Sequence, residues 1–218
     1  MLAGLISSVP QPAPAITFDP ATASNVTLSG GNLTATNTGT TSGDQGARVK
    51  SAFGRSTGKL YFEVKGPKTP NNGEQVGCGV GLINTLYNDM GFASLDGAMI
   101  LNFGGGFYDV WGSGSDSGNS VNFTDDNYNI MRVAVDLDAR RVWFACANRF
   151  GTLWNGQSIG VQNPVGAVGG VIIPAGIMVP IVTYGGASGQ TGIAFTLNVG
   201  ATWFSSPIPT GFMAWCRS

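Results

Sequence analysis

The side chains best suited to bond-breaking chemistry in this chain are carboxylates. Asp125-Asp126, Asp136 with Asp138, and Asp89 with Asp96 are the pairs from which a glycosidase could be built. Such an enzyme needs two carboxyls facing each other across a sugar. Asp136 and Asp138 fall at a turn, where aspartate commonly accepts hydrogen bonds from its own backbone, so a structural role is expected for them. Asp116, Asp125, Asp126 and Asn127 offer oxygens of the kind calcium takes, but their spacing matches no calcium loop. The chain has no histidine. Imidazole general bases, histidine triads and histidine metal sites are thereby excluded. Cys78, Cys146 and Cys216 have neither zinc-site spacing nor the even count of a disulfide framework. Cys78 and Cys146 lie in strand patterns and are expected as buried free thiols, in a chain folded in a reducing compartment. Gly104-Gly105-Gly106 precedes no helix, which argues against a phosphate cradle. The expectation is a protein that is not an enzyme and holds no cofactor and no metal.

Aromatic side chains in glycine-rich loops are the remaining candidates. Tyr87, Tyr108, Trp111 and Trp154 could stack on sugar rings or anchor a protein contact. The alternative is that these rings fill the core or cap its ends. Net charge is −1, and of eleven Lys and Arg only Arg140-Arg141 are adjacent. A nucleic-acid surface needs clustered cations, so no nucleic-acid partner is expected. No run of 18 apolar residues exists, so no membrane insertion is expected. The most apolar window, 161–182, is broken by Pro164, Pro174 and Pro180.

The first fifteen residues, MLAGLISSVPQPAPA, lack a basic region, and Gly4 and Ser7-Ser8 interrupt their apolar run. A secretory signal is not expected. Pro10, Pro12 and Pro14 favour an extended, polyproline-like arm. Leu2, Leu5 and Ile6 have no local partner. Two readings stay open: a disordered start, or a peptide that docks on another subunit.

The elements that must position these residues read as strands. In Ile130–Asn148, Val133, Val135 and Leu137 alternate with Arg132, Ala134 and Asp136, and Val142, Phe144 and Cys146 alternate with Trp143, Ala145 and Ala147. A period of two with a polar turn at 138–140 predicts a β-hairpin at the centre of an antiparallel sheet. A hairpin is predicted over 26–36 around Gly30-Gly31-Asn32. Further strands are predicted at 47–53, 58–65, 75–82, 98–102, 107–111, 179–184 and 191–199. In the strand at 75–82 glycine takes alternate positions, which leaves one face bare. An aromatic ring from a facing sheet is the expected neighbour. Residues 112–120 read as a flexible loop, 151–156 as a turn carrying Trp154, and 204–215 as the closing segment. With 34 glycines and 11% charged residues, short strands joined by tight turns are favoured over disorder.

Five of these segments, in order, resemble the SPRY family: Gly58–Val64; Val76–Leu82; Val133–Asp138 with Val142-Trp143-Phe144; Val179–Val182; and Phe195–Gly200 with Phe204. Together they span about residues 18–205. The family's usual Asn-Gly after the central hairpin is Asn148-Arg149 here, and Asn155-Gly156 follows later. The ending Pro209–Trp215 resembles the tails of SPRY-like proteins encoded by bacteriophages and prophages. The resemblance implies an all-β fold, a bent antiparallel β-sandwich of concanavalin-like jelly-roll type, over residues 16–218, with residues 1–15 as its arm. It implies a structural role for Glu63, no catalysis, and binding through loops at one edge.

The function expected is that of a bacteriophage virion protein, displayed as part of a tail fibre or as a capsid decoration. Loops between 84 and 128 and the turn at 151–156 would meet a host-surface glycan or protein. The arm would dock to other virion proteins or to copies of the chain itself. An intracellular protein-interaction module is the alternative, and a glycan-acting enzyme a third.

Overall fold

The computed structural model describes residues 15–39, 45–66, 74–84, 96–102, 107–112, 115–122, 129–146, 153–157, 160–186 and 191–217. The arm residues Leu2, Leu5 and Ile6 lie outside them, as do Tyr87, Asp89, Asp125 and Asp126. Two sheets face each other. The eight-stranded sheet runs in the order β1 (Val26–Ser29), β2 (Thr34–Asn37), β13 (Ala194–Asn198), β4 (Lys59–Gly66), β9 (Asn129–Asp136), β10 (Arg141–Cys146) and β11 (Val171–Ile172). Its eighth strand, β14 (Met213–Ala214), pairs with β4 in parallel. The six-stranded sheet runs β3 (Gly46–Arg48), β12 (Met178–Gly186), β5 (Glu74–Leu82), β6 (Gly97–Asn102), β7 (Phe107–Gly112) and β8 (Ser115–Asn122). The described helical residues form short 3-10 turns, and among the described residues no helix is long and apolar enough to cross a membrane.

The period of two seen in the sequence becomes the division between inner and outer faces. Leu60, Phe62 and Val64 of β4, Met131, Val133 and Val135 of β9, and Val142, Phe144 and Cys146 of β10 point into the core. They meet Val76, Cys78 and Val80 of β5, Ile100 of β6 and Val182 of β12. Each such buried side chain contributes about 1.5–3 kcal/mol. The Cys78 Sγ–Met131 Sδ distance is 3.4 Å, a contact that joins the two sheets. The Tyr184 hydroxyl, on β12, donates to the carbonyl of Ala35 on β2. Burial raises the pKa of that phenol and of the Cys78 thiol far above their ordinary values, so both stay protonated.

The hairpin at β9–β10 forms as expected, in register from Arg141 opposite Asp136 to Cys146 opposite Met131. Its first strand is internal, between β4 and β10; its second has only the two-residue β11 beyond it. Asp136 closes the turn. Its Oδ1 accepts from the N–H groups of Asp138 (3.1 Å) and Ala139 (2.8 Å), and Oδ2 lies 3.2 Å from Lys59 Nζ. Asp138 Oδ1 accepts from Gly58 N–H at 3.0 Å. Asp136 holds its own turn, as its place there predicts, whereas Asp138 ties that turn to the residue before β4.

Two expectations are corrected. Residues 115–122, within and beyond the stretch read as a flexible loop, form strand β8 paired to β7. The sequence SDSGNSVN lacks the apolar alternation by which a strand is recognised, since an edge strand needs little of it. At Gly79 the neighbour is not an aromatic ring. A Cβ there would lie 2.0 Å from the carbonyl oxygen of Ala98 on the adjacent strand, so glycine permits close backbone approach within one sheet.

Candidate binding surface

The outward face of the six-stranded sheet carries one row that crosses all six strands. Arg48, Ile181, Gly79, Met99, Trp111 and Asp116 are successive partners in register. The row is buried at its middle, at Ile181 and Met99, and opens toward β8. Trp111 is half-buried and Asp116 exposed. Asp109 lies two residues before Trp111 on β7, and a β-bulge separates their pairings with β8. Desolvation, and then the like charge of Asp116, raises the pKa of the Asp109 carboxyl. Asp116 Oδ1 accepts from Gly118 N–H at 2.9 Å, an Asx-type bond that fits the left-handed φ of +69° at Gly118. The result is an indole with two carboxylates on the outer face of a sheet edge, followed by Ser117, Asn119 and Ser120.

The turn at 154–157 reaches the same edge. Trp154 and Gln157 pair across Asn155-Gly156, whose φ values of +47° and +71° are those of a type I′ hairpin turn. Gly156 packs so close to β8 that a Cβ would sit 1.9 Å from the Ser120 carbonyl oxygen. Asn155 is fully buried and completes the outer edge of β10. Its N–H donates to the Phe144 carbonyl at 2.6 Å, and its Oδ1 accepts from Phe144 N–H at 2.8 Å. Its Nδ2 donates to Gln162 Oε1, which also accepts from Gly170 N–H. Beyond the reach of two-residue β11, one asparagine does the work of a strand.

The structure therefore brings Trp111 and the turn of Trp154 to one edge, but it does not display both rings. Trp154 is only 6% exposed. It lies in a second cluster with Tyr61, Ala134, Trp143 and Ala145, on the outward face of the eight-stranded sheet. The Arg132 guanidinium stacks 4.7 Å from its centroid. For Trp154 the interior alternative holds, and its ring is not a displayed ligand platform. Tyr108 pairs with Asn102 and Val121 in the ladder, but its side chain, like all of Tyr87, lies outside the described residues.

That second cluster is roofed by the closing segment, residues 200–214. Phe204, Ile208 and Phe212 pack onto it, with Phe204 meeting the Tyr61 ring edge to face at 4.9 Å. Glu63 fastens the roof. Its two carboxylate oxygens accept from Ser205 N–H (2.8 Å) and Ser206 N–H (3.2 Å), and Oε1 also accepts from the Tyr61 hydroxyl (2.7 Å). Arg132 Nε donates to that same hydroxyl at 3.3 Å. Burial and the charge of Glu63 push the Tyr61 phenol well up, which keeps it a donor.

Sequence reasoning missed two features. Asn155 and Gln162 gave no signal beyond the turn-forming Asn-Gly pair. Trp203, at the start of the roof, is 98% exposed beside a cavity of about 640 Å³. A tryptophan between Thr202 and Phe204, just before the segment read as closing the chain, carries no mark of that exposure.

No protein-family model matches this chain, and no curated protein does. Solved structures do. The SPRY domain of human HERC1 superposes with a TM-score of 0.58 at 16% identity, over 85% of this chain and 99% of that one. The fold is SPRY-like. The TRIM65 PSpry domain gives a TM-score of 0.52 at 14% identity, over 84% and 90% of the two chains. Stonustoxin gives 0.51 at 15% identity, over 84% of this chain but 28% of its own. The bent antiparallel sandwich expected from the five segments is thereby established, and the SPRY-like frame places β7, β8 and the 154–157 turn at one edge of it.

Proposed function

We propose that this SPRY-like chain is a non-catalytic binding module that recognises its partner with the β7–β8 edge. The observation that carries this reading is Trp111, half-buried beside Asp109 and exposed Asp116, on an edge the 154–157 turn abuts. A half-buried indole at a sheet edge suits stacking on a sugar or insertion into a protein contact. The carboxylates best placed for catalysis are occupied instead: Glu63, Asp136 and Asp138 all accept backbone hydrogen bonds. The likeness to the SPRY domains of HERC1 and TRIM65 supports a binding role over catalysis.

The setting we propose is the bacteriophage virion, as a tail-fibre, receptor-binding or capsid-decoration protein, on the resemblance of Pro209–Trp215 to the ends of SPRY-like proteins encoded by bacteriophages and prophages. A host-surface glycan or protein would meet the β7–β8 edge, and residues 1–15 would dock to other virion proteins or to copies of the chain. One observation favours an intracellular interaction module instead: the three cysteines form no disulfide, and Cys78 and Cys146 are buried. The test is retention of the full chain on bacterial cell envelopes and on a glycan array, beside a Trp111→Ala/Asp116→Ala variant. We expect binding that falls at least about tenfold in the variant, the loss of a hot-spot ring. Retention that ignores both substitutions would remove this edge from the reading. Binding to cytosolic proteins alone would favour the intracellular module.

A further inference from the structure

We propose that the groove beside Trp203 is the resting place of this chain's own N-terminal arm, residues 1–14. All five tryptophans are described. Trp143 and Trp215 are fully buried, Trp154 nearly so and Trp111 half-buried; Trp203 alone is 98% exposed. An indole left in water forgoes favourable burial, and Trp203 shares its groove with Met213, itself 47% exposed, so the apolar exposure there is contiguous. The cavity it borders is walled by Phe204, Pro207, Ile208, Phe212 and Met213. No charged residue lines it, and no charged residue occurs in Met1–Pro14. Prolines at 10, 12 and 14 favour polyproline geometry, and segments of that geometry dock in aromatic-lined grooves at low entropic cost.

The root of the arm is close to the groove. Lys50 N–H donates to the Thr17 carbonyl at 3.3 Å, and Phe53 N–H donates to the Lys50 carbonyl at 2.9 Å. The indole N–H of Trp215 donates to the Phe53 carbonyl at 3.0 Å, and Trp215 directly follows the groove residues Met213 and Ala214. Fourteen extended residues span about 45 Å. A compact chain of this length has a radius of gyration of about 17 Å, so the reach is ample. Tethering holds the arm near its own groove at an effective concentration in the millimolar range, above that of a second copy in dilute solution. The contact holds whether or not the protein belongs to a virion.

The experiment is acrylamide quenching of tryptophan fluorescence in the full chain. It is compared with two arm variants: one carries Pro10→Gly, Pro12→Gly and Pro14→Gly, the other Leu2→Ser, Leu5→Ser and Ile6→Ser. Each is also made with Trp203→Ala, and circular dichroism checks the fold. We expect at least one arm variant to raise the quenching constant of the accessible indole by about threefold or more, as a tethered occupant leaves. The difference should vanish with Trp203→Ala. Equal quenching in the full chain and both variants would overturn the proposal. Shielding that grows with protein concentration, with a doubled mass by light scattering, would give the groove to a second copy. Shielding seen only on addition of a free neutral sugar would make it a glycan site. Envelope binding through Trp111 is a separate readout, so either proposal can fail without the other.

Discussion

On the eight-stranded sheet the outward side chains of the central strands include Tyr61, Glu63, Arg132, Ala134, Trp143 and Ala145, all buried, with Phe204, Ile208 and Phe212 packed onto their cluster and residues 168–170 against Trp143. On the six-stranded sheet the outward row runs from buried Ile181 and Met99 to half-buried Trp111 and exposed Asp116. Both faces carry aromatic and charged groups. They differ in how those charges are satisfied. Glu63 is shared among two backbone N–H groups and a phenol, and Arg132 stacks on an indole and bonds that phenol. Asp109 instead sits near another carboxylate, with its pKa raised. A buried charge supplied with donors fastens structure, whereas like charges at an edge cost stability and are best offset by a partner. Charged side chains of similar type are thus structural on one face and available for recognition on the other.

The comparison can be broken most forcefully at Glu63. Glu63→Ala leaves Ser205 N–H, Ser206 N–H and the Tyr61 hydroxyl without their acceptor beside buried Arg132. A loss of about 3 kcal/mol is expected in urea unfolding, with faster amide exchange in 200–214. An unchanged midpoint would mean the roof is held by Phe204, Ile208 and Phe212 alone.

A smaller effect is expected at the junction of the two faces. Asn155→Ala keeps the backbone bond to the Phe144 carbonyl but strips the acceptor from buried Phe144 N–H. About 2 kcal/mol should be lost, with amide exchange rising first at Phe144 and Gly170. If Asn155→Asp stabilised the protein as well as asparagine does, the Nδ2 bond to Gln162 would have no role in sealing β10.

The smallest effect sharpens the contrast at Asp109. Its carboxyl titrates above the ordinary aspartate value in the folded state, through desolvation first and Asp116 second. The stability it contributes is full below the unfolded pKa and is lost as pH rises through the folded pKa. Asp109→Asn should therefore raise Tm at neutral pH and lose that advantage as pH falls into the carboxylate range, read as Tm against pH from about 3 to 7. A Tm difference of the opposite sign at neutral pH would place an attractive partner, rather than Asp116, beside Asp109.

Much of the frame was legible in the sequence. Alternation in Lys59–Val64, Met131–Asp136 and Arg141–Cys146 marked the strands, because a strand sends successive side chains to opposite faces and its most apolar set faces the other sheet, even though both faces here are buried. Asp136 was legible as a turn residue, because its bonds are to backbone two and three residues away; the bond of Asp138 to Gly58 was not, because it spans 80 positions. Strand β8 was not, since an edge strand is specified by its neighbour β7 more than by its own composition.

The candidate site was legible only by residue type. Trp111 and Trp154 have similar local settings among small and polar residues, yet one is half open and the other is roofed by a segment some fifty residues later in the chain. Exposure of Trp203 and burial of Asn155 likewise depend on what packs over them. Periodicity, turn chemistry, the absence of histidine and the uncharged arm are properties of the chain itself, and they determined the fold class and the kinds of chemistry available. Which aromatic rings reach solvent, and how Glu63 is fastened, was decided by contacts between residues far apart in the chain, such as Glu63 with Ser205. Burial is a sum over such distant neighbours, and no local pattern encodes it.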